Sequence, residues 1–248
     1  ATAPIPGTLS ARGLGSARRL EISPYLSSRA TYAPSDAGDP FRSSHEHVAS
    51  AGGDLKYGVT SDLTLDATIN PDFGQVEVDP AVVNLSAFET VFPEKRPFFV
   101  ESADLFDFGQ LRTFNSSGTP VTFFSRRIGR SPQGSLGEPG STFSQSPDQT
   151  TIASAVKLTG KTRGGWSIAA LDAVTPRESG RYVDSLGVIQ RSAVEPLTNY
   201  FVGRLRREMR AGNTAVGGLV TAVDRNLGSS APGSAALADV LRSHAYLG

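Results

Sequence analysis

Cysteine is absent from this chain, methionine and tryptophan occur once each, and histidine only three times. The first absence excludes disulfides, thiolate metal centres and a cysteine nucleophile, and leaves the compartment open. No run of about 18 apolar residues occurs, so no transmembrane helix is expected, and the opening Ala-Thr-Ala-Pro-Ile-Pro-Gly is not expected to act as a signal peptide. Excess charge of one sign is also missing. Lysine plus arginine (24) equals aspartate plus glutamate (24), so no global field draws the chain to nucleic acid, and no nucleic-acid partner is expected. The nucleophile elbow G-x-S-x-G is absent too, because Ser16 and Ser135 follow a glycine directly but lack one two residues before. A serine nucleophile would therefore have to be assembled from distant positions. Phosphate-cradling and dinucleotide glycine motifs are likewise missing.

What is abundant is turn chemistry. The 248 residues hold 26 glycines and 16 prolines, with 38% hydrophobic residues. Globular chains carry roughly 45–50%. Short strands and turns are expected rather than helices. Such a chain also leaves open transmembrane strands, which need only about 9–11 residues of alternating polarity and escape hydropathy scanning.

Alternation appears at once. Leu20, Ile22, Leu26, Ala30 and Tyr32 share one parity and Glu21, Ser23 and Ser27 the other, a strand interrupted by Pro24 that suits an edge, a bulge or a strand start. Residues 34–53 read as a polar, mobile connection. Residues 55–69 read as a hairpin broken at Thr60-Ser61-Asp62. A short strand is expected over 121–128, a long loop over 129–148, and strands over 151–159, 166–174, 198–210 and 214–225, with a loop from 175 to 191. A further apolar alternation begins at Leu237, and the chain ends without the closing strand a barrel needs.

Between the first hairpin and these strands lies the densest passage, residues 68–108, with prolines at 71, 80, 93 and 97 that forbid a long regular element. Acids cluster at Asp72, Glu77 and Asp79 and again at Glu101, Asp104 and Asp107, with Glu94, Lys95 and Arg96 between Pro93 and Pro97. The expected architecture is all-β: a single domain over 1–248 forming an antiparallel up-and-down β-barrel or part of one. Within it, 1–53 supply a first strand and loop, 54–69 the hairpin, 70–108 an inserted, plug-like aromatic and acidic segment, and 109–248 strands and long loops.

The string from Ile69 to Phe106, followed by Phe123-Phe124-Ser125-Arg126-Arg127-Ile128-Gly129-Arg130, resembles a family of uncharacterised Gram-negative surface proteins. Members carry a family-nine-type carbohydrate-binding module and then a long C-terminal domain with outer-membrane β-barrel character, and several are labelled membrane-associated hydrolases. The likeness is specific over 54–130 and looser through 194–205. Val78 and Ser102 stand where relatives usually have alanine and glycine. The resemblance implies that this chain is the first part of the C-terminal domain of a longer protein in the outer membrane of a Gram-negative bacterium. It also implies glycan or other small-molecule ligands, and outer-membrane lipid as a partner. It transfers no catalytic residue.

Candidate chemistry is then read from the residues. Asp72, Glu77 and Asp79, with Asp66 and Asn70, have the oxygen-rich character of a calcium site, although the spacing is not that of an EF-hand, and a polar loop inside a barrel accounts for them better. Glu94, Glu101 and Asp104, with Glu89, lie among Phe88, Phe92, Phe98, Phe99 and Phe106, a setting for carboxylate-based glycoside hydrolysis. The bland alternative makes Glu94 and Glu101 structural partners of Arg96, Arg126 or Arg127, and is favoured. Phe98, Phe99, Arg96, Arg126 and Arg127 are the candidate ligand-binding residues, through ring stacking and anion binding. His45-Glu46-His47 would need His244 or a carboxylate to complete a metal site, and an exposed loop is expected there instead. The favoured function is a non-catalytic outer-membrane component that binds or passes glycans. The alternative is a hydrolase of glycosides or esters using Glu94 and Glu101 or a non-motif serine.

Overall fold

A computed structural model describes residues 19–32, 34, 37–71, 93–108, 122–136, 141, 143–228 and 232–247. The fold is all-β, built from antiparallel sheets. Strands β1 (Leu20–Tyr32), β2 (His45–Gly58), β3 (Leu63–Ile69), β5 (Ser154–Lys161), β6 (Trp166–Thr175), β9 (Leu197–Met209), β10 (Thr214–Asn226) and β11 (His244–Leu247) form one eight-stranded sheet in that order. The sheet does not close on itself. The strands β4 (Ser144–Gln145), β7 (Glu178–Val183) and β8 (Ile189–Glu195) form a second, small sheet.

Connections alternate in length along the large sheet. Residues 59–62, 162–165 and 210–213 make tight turns at one end, while 33–44, 70–153, 176–196 and 227–243 make the longer connections at the other. The turn at Thr162 closes through Gly165, whose φ of 79° suits glycine, and Thr162 N–H donates to the Trp166 carbonyl at 2.7 Å. Pro24 sits in β1, an outermost strand opposite Gly53 of β2, where a missing donor is tolerated.

Register assigns every side chain of the large sheet to one of two faces. Leu20, Tyr57, Leu65, Leu158, Ala170, Gly203 and Val220 are successive cross-strand partners and so share a face. Their neighbours Glu21, Lys56, Asp66, Lys157, Leu171 and Val202 share the other. That second face is covered in the middle of the sheet, while β1 and the first part of β2 are exposed on both faces. Ala155, Ala169, Leu171, Ala173, Tyr200, Val202 and Leu219 bury against Phe99, Leu105 and Phe106 of the 93–108 segment and against Ile128 and Ile152. The segment consists of one short helical turn, α1 (Pro97–Val100), and a 3-10 turn at Ala103–Phe106.

Four expectations are corrected. Polar residues 45–53 are strand, not loop, because β2 pairs with β1 over thirteen consecutive positions whose backbone bonds override weak side-chain propensity. Residues 175–191 are not a plain loop, since β7 and the first part of β8 lie within them. Residues 122–128 contain no strand: Arg127 N–H donates to the Phe124 carbonyl and Ile128 N–H to the Ser125 carbonyl, closing a 3-10 turn at Ser125–Arg127. Finally, the stretch after Ser234 begins as a helix, α2 (Ser234–Val240), which buries Leu237, and only 244–247 pair as a strand. The calcium candidates Asp72, Glu77 and Asp79, together with Glu89, Phe88, Phe92, Val78 and Ser16, lie outside the described residues.

Candidate functional site

The covered face carries a row of charges that alternate in sign across four neighbouring strands. Glu21 of β1 pairs in register with Lys56 of β2, Lys56 with Asp66 of β3, and Asp66 with Lys157 of β5. Register alone creates this row, since the four residues are scattered along the chain. Lys157 is 1% exposed. Its ammonium donates to the carbonyls of Phe98 at 2.6 Å and Glu101 at 2.8 Å and stands 3.8 Å from the Asp66 carboxylate. The ring of Phe98 lies beneath it at 4.9 Å. Lys56 pairs with the Glu101 carboxylate. The first helical turn of the 93–108 segment is thus held at its carbonyls by Lys157 and at the Glu101 carboxylate by Lys56, the charge sign a helix end favours. Arg204 of β9 repeats the device next door, donating to the Leu105 carbonyl at 2.6 Å.

A second clamp holds the start of the segment. The Arg96 guanidinium binds Glu94 in a two-pronged contact, Nε to Oε1 at 2.8 Å and Nη2 to Oε2 at 2.7 Å. It also donates to the carbonyls of Ile128 at 2.6 Å and Ser125 at 2.8 Å and lies 4.2 Å over the Phe99 ring. Glu94 further accepts from the Ser125 hydroxyl at 2.5 Å and from the backbone N–H of Lys95 and Arg96. Burial pushes the Glu94 carboxyl up, but the hydrogen bonds and charge of Arg96 outweigh it and hold it below the ordinary 4.5. A general acid in glycoside hydrolysis needs the opposite shift.

The sequence candidates therefore separate. Glu94, Arg96, Phe99 and Ser125 come together in one clamp. Arg126 donates to the Pro93 carbonyl at 2.7 Å and joins it from outside. Glu101 turns instead to Lys56, while Asp104 is exposed in the 3-10 turn, and Arg127 is exposed as well. Phe98 and Phe99 meet edge to face at 5.1 Å, with Phe99 buried in the core. His45 and His47 open β2 on one face beside Tyr32, whose ring meets them at 5.1 and 6.3 Å, so that run is strand rather than loop. His244 hydrogen bonds Asp224 at 2.5 Å, and among the described residues no cluster of three His, Asp or Glu side chains is placed to hold a metal.

Sequence reasoning missed Lys157, Arg204 and Glu195. Glu195 ends β8, 1% exposed, and accepts from the Gln133 N–H at 2.8 Å. Burial pushes its carboxyl above the ordinary 4.5, against the opposing pull of that hydrogen bond and of Arg130 and Arg225. The only available signal for Lys157 and Arg204 was their polar parity within otherwise apolar strands.

The other face of the large sheet is bare. Leu20, Ile22, Leu26, Ile69, Val156, Phe201, Leu205, Val216 and Val220 stand on it, exposed, without any element of the described residues covering them. Its charged residues within the strands are Asp172, Arg207 and Asp224, all near strand ends. The covered face holds Glu21, Arg29, Glu46, Asp54, Lys56, Asp66, Lys157, Lys161, Arg204, Arg206, Glu208 and Arg225. No curated protein and no solved structure matches the chain. A family model matches residues 16–242. That is nearly the whole length, and the chain belongs to the family described as a domain of unknown function, DUF5916.

Proposed function

We propose that this chain forms part of an outer-membrane β-barrel that binds or passes glycans at the surface of a Gram-negative cell, without catalysis of its own. The observation that carries the reading is the exposed apolar face. Beside the hydrophobic core under the 93–108 segment lie the buried charges Asp66 and Lys157, and the opposite face is exposed and apolar from β1 to β10 apart from Asp172, Arg207 and Asp224, a pattern that suits a sheet with lipid outside and a plugged interior. In water, a contiguous apolar surface of that extent is costly. Strand length supports the same reading, since β1, β9 and β10 have 13 residues each and β6 has 10, against the roughly 9–11 needed to span. Alternately short turns and long connections are the barrel arrangement too.

The glycan part rests on the resemblance over 54–130 and its companion carbohydrate-binding module. Tyr32, 68% exposed beside His45 and His47 at the long-connection end, supplies rings of the kind that stack on sugars. Two measurements test the proposal. Size-exclusion chromatography should give a monodisperse species only with detergent, and a monodisperse species without it would overturn the membrane assignment. A glycan array should register binding that Tyr32→Ala weakens, while a panel of chromogenic glycosides and esters gives no turnover. Turnover that falls in Glu94→Gln or Glu101→Gln would instead make the chain a hydrolase.

A further inference from the structure

The bare face is not smooth. A furrow of about 810 Å³ runs along β6, β9 and β10, walled by Trp166, Ile168, Leu205, Val216 and Val220 and floored by glycine. At Gly218 a Cβ atom would meet nothing within 4 Å, so the floor is open space rather than backbone packing. Along β9 the furrow extends from Met209 to Gly203, which is roughly 20 Å at about 3.4 Å per residue. Tilted by the roughly 40° of barrel strands, that length covers about 15 Å of depth, the thickness of one leaflet's hydrocarbon.

Charge is concentrated at one end of it. At the short-turn end Arg207 lies 5.1 Å over the Trp166 ring, and Arg163 and Arg210 of the two adjoining turns stand exposed. The acids there are Asp62 and Glu208, and Glu208 is engaged by Arg206 at 3.2 Å. The other end of the furrow, at Ala170 and Val220, is uncharged. An apolar trough one leaflet deep with a cationic mouth is complementary to one kind of molecule, a lipid whose head is anionic.

We infer that this furrow seats an acyl chain of an anionic phospholipid whose phosphate is held at the short-turn end by Arg207 and its cationic neighbours. The inference rests on the membrane reading above and adds a specific lipid partner to it. It assigns the short-turn end to the leaflet that supplies phospholipid.

Trp166 is the sole tryptophan, so it reports on the furrow directly. The chain is reconstituted into phosphatidylcholine vesicles carrying a small fraction of either brominated phosphatidylglycerol or brominated phosphatidylcholine, and quenching of Trp166 is titrated. Brominated phosphatidylglycerol should quench at lower mole fraction, with a preference of roughly five-fold for each cation engaged. Arg207→Gln should reduce that preference by about five-fold. Gly218→Val, whose Cβ has no neighbour within 4 Å, should narrow the trough and weaken quenching by phosphatidylglycerol while the circular dichroism spectrum stays unchanged. Equal quenching by the two lipids overturns the lipid site and leaves the membrane reading standing. An undiminished preference in Gly218→Val overturns the placement of the acyl chain. Quenching by neither lipid overturns the membrane reading itself.

Discussion

The two faces of the large sheet are made from the same strands, yet they solve opposite problems. On the covered face the charged side chains that reach the 93–108 segment have named partners: Lys157 on two carbonyls and Asp66, Lys56 on Glu101, Arg204 on Leu105. The bare face holds isoleucine, leucine, valine and phenylalanine that stand exposed, with no element of the described residues over them. A sheet in water puts its apolar parity under cover and its polar parity outside. Here the cover does both: Phe99, Leu105 and Phe106 of the 93–108 segment bury the hydrophobic core, and beside them the segment receives Lys157, Lys56 and Arg204, while the opposite face is apolar and exposed.

Breaking the covered side should cost most. Lys157→Met leaves Asp66 and the Phe98 and Glu101 carbonyls without their donor, and a loss of about 3–5 kcal/mol is expected from denaturant unfolding. Val156→Ala, the adjacent residue on the bare face, should cost under about 1 kcal/mol. If the two costs are equal, the contrast between the faces is wrong.

Glu94→Gln comes next. It keeps one acceptor but turns an amide toward Arg96 and Ser125, at a cost of roughly 1.5–3 kcal/mol. The folded Glu94 binds its proton more weakly than the unfolded chain does, so its contribution is present above the ordinary 4.5 and is lost as pH falls through the lower folded value. The gap between wild type and variant should therefore close on acidification, followed by unfolding at a series of pH values. A gap that widens in acid would remove the clamp.

The smallest effect is expected at Glu195, where the sign reverses. Its folded carboxyl holds a proton more tightly than the unfolded one, so ionisation above 4.5 destabilises the fold progressively as pH rises through the raised value. Glu195→Gln keeps an oxygen for the Gln133 N–H and loses the charge. Relative to wild type it should gain stability from pH 4.5 upward, and a variant that loses stability at neutral pH would contradict this.

Much of the fold was legible because period-2 alternation is a local property. The hairpin at 55–69, the strands near 166–174, 198–210 and 214–225, and the edge placement of Pro24 all follow from neighbouring residues. Residues 45–53 of β2 look like loop in the sequence because their strand is stabilised by cross-strand pairing, which propensity does not see. The site was legible only in part. Glu94 and Arg96 are two residues apart, so their pairing was open to inspection. The Glu21, Lys56, Asp66 and Lys157 row depends on the register of four strands, and no spacing in the sequence encodes it. Glu101 has candidate arginines in the sequence at Arg96, Arg126 and Arg127 but pairs with Lys56, which β2 brings to it across 45 residues of chain.

The proposed membrane role requires that the bare face meet lipid. Leu205 lies in its middle, 47% exposed on β9. Leu205→Arg should be compared with wild type by equilibrium folding into phospholipid vesicles. A lipid-facing position predicts a loss of about 2–4 kcal/mol. A change within about 0.5 kcal/mol, or a gain in detergent-free solubility with the fold retained, would place that face in water and contradict the account.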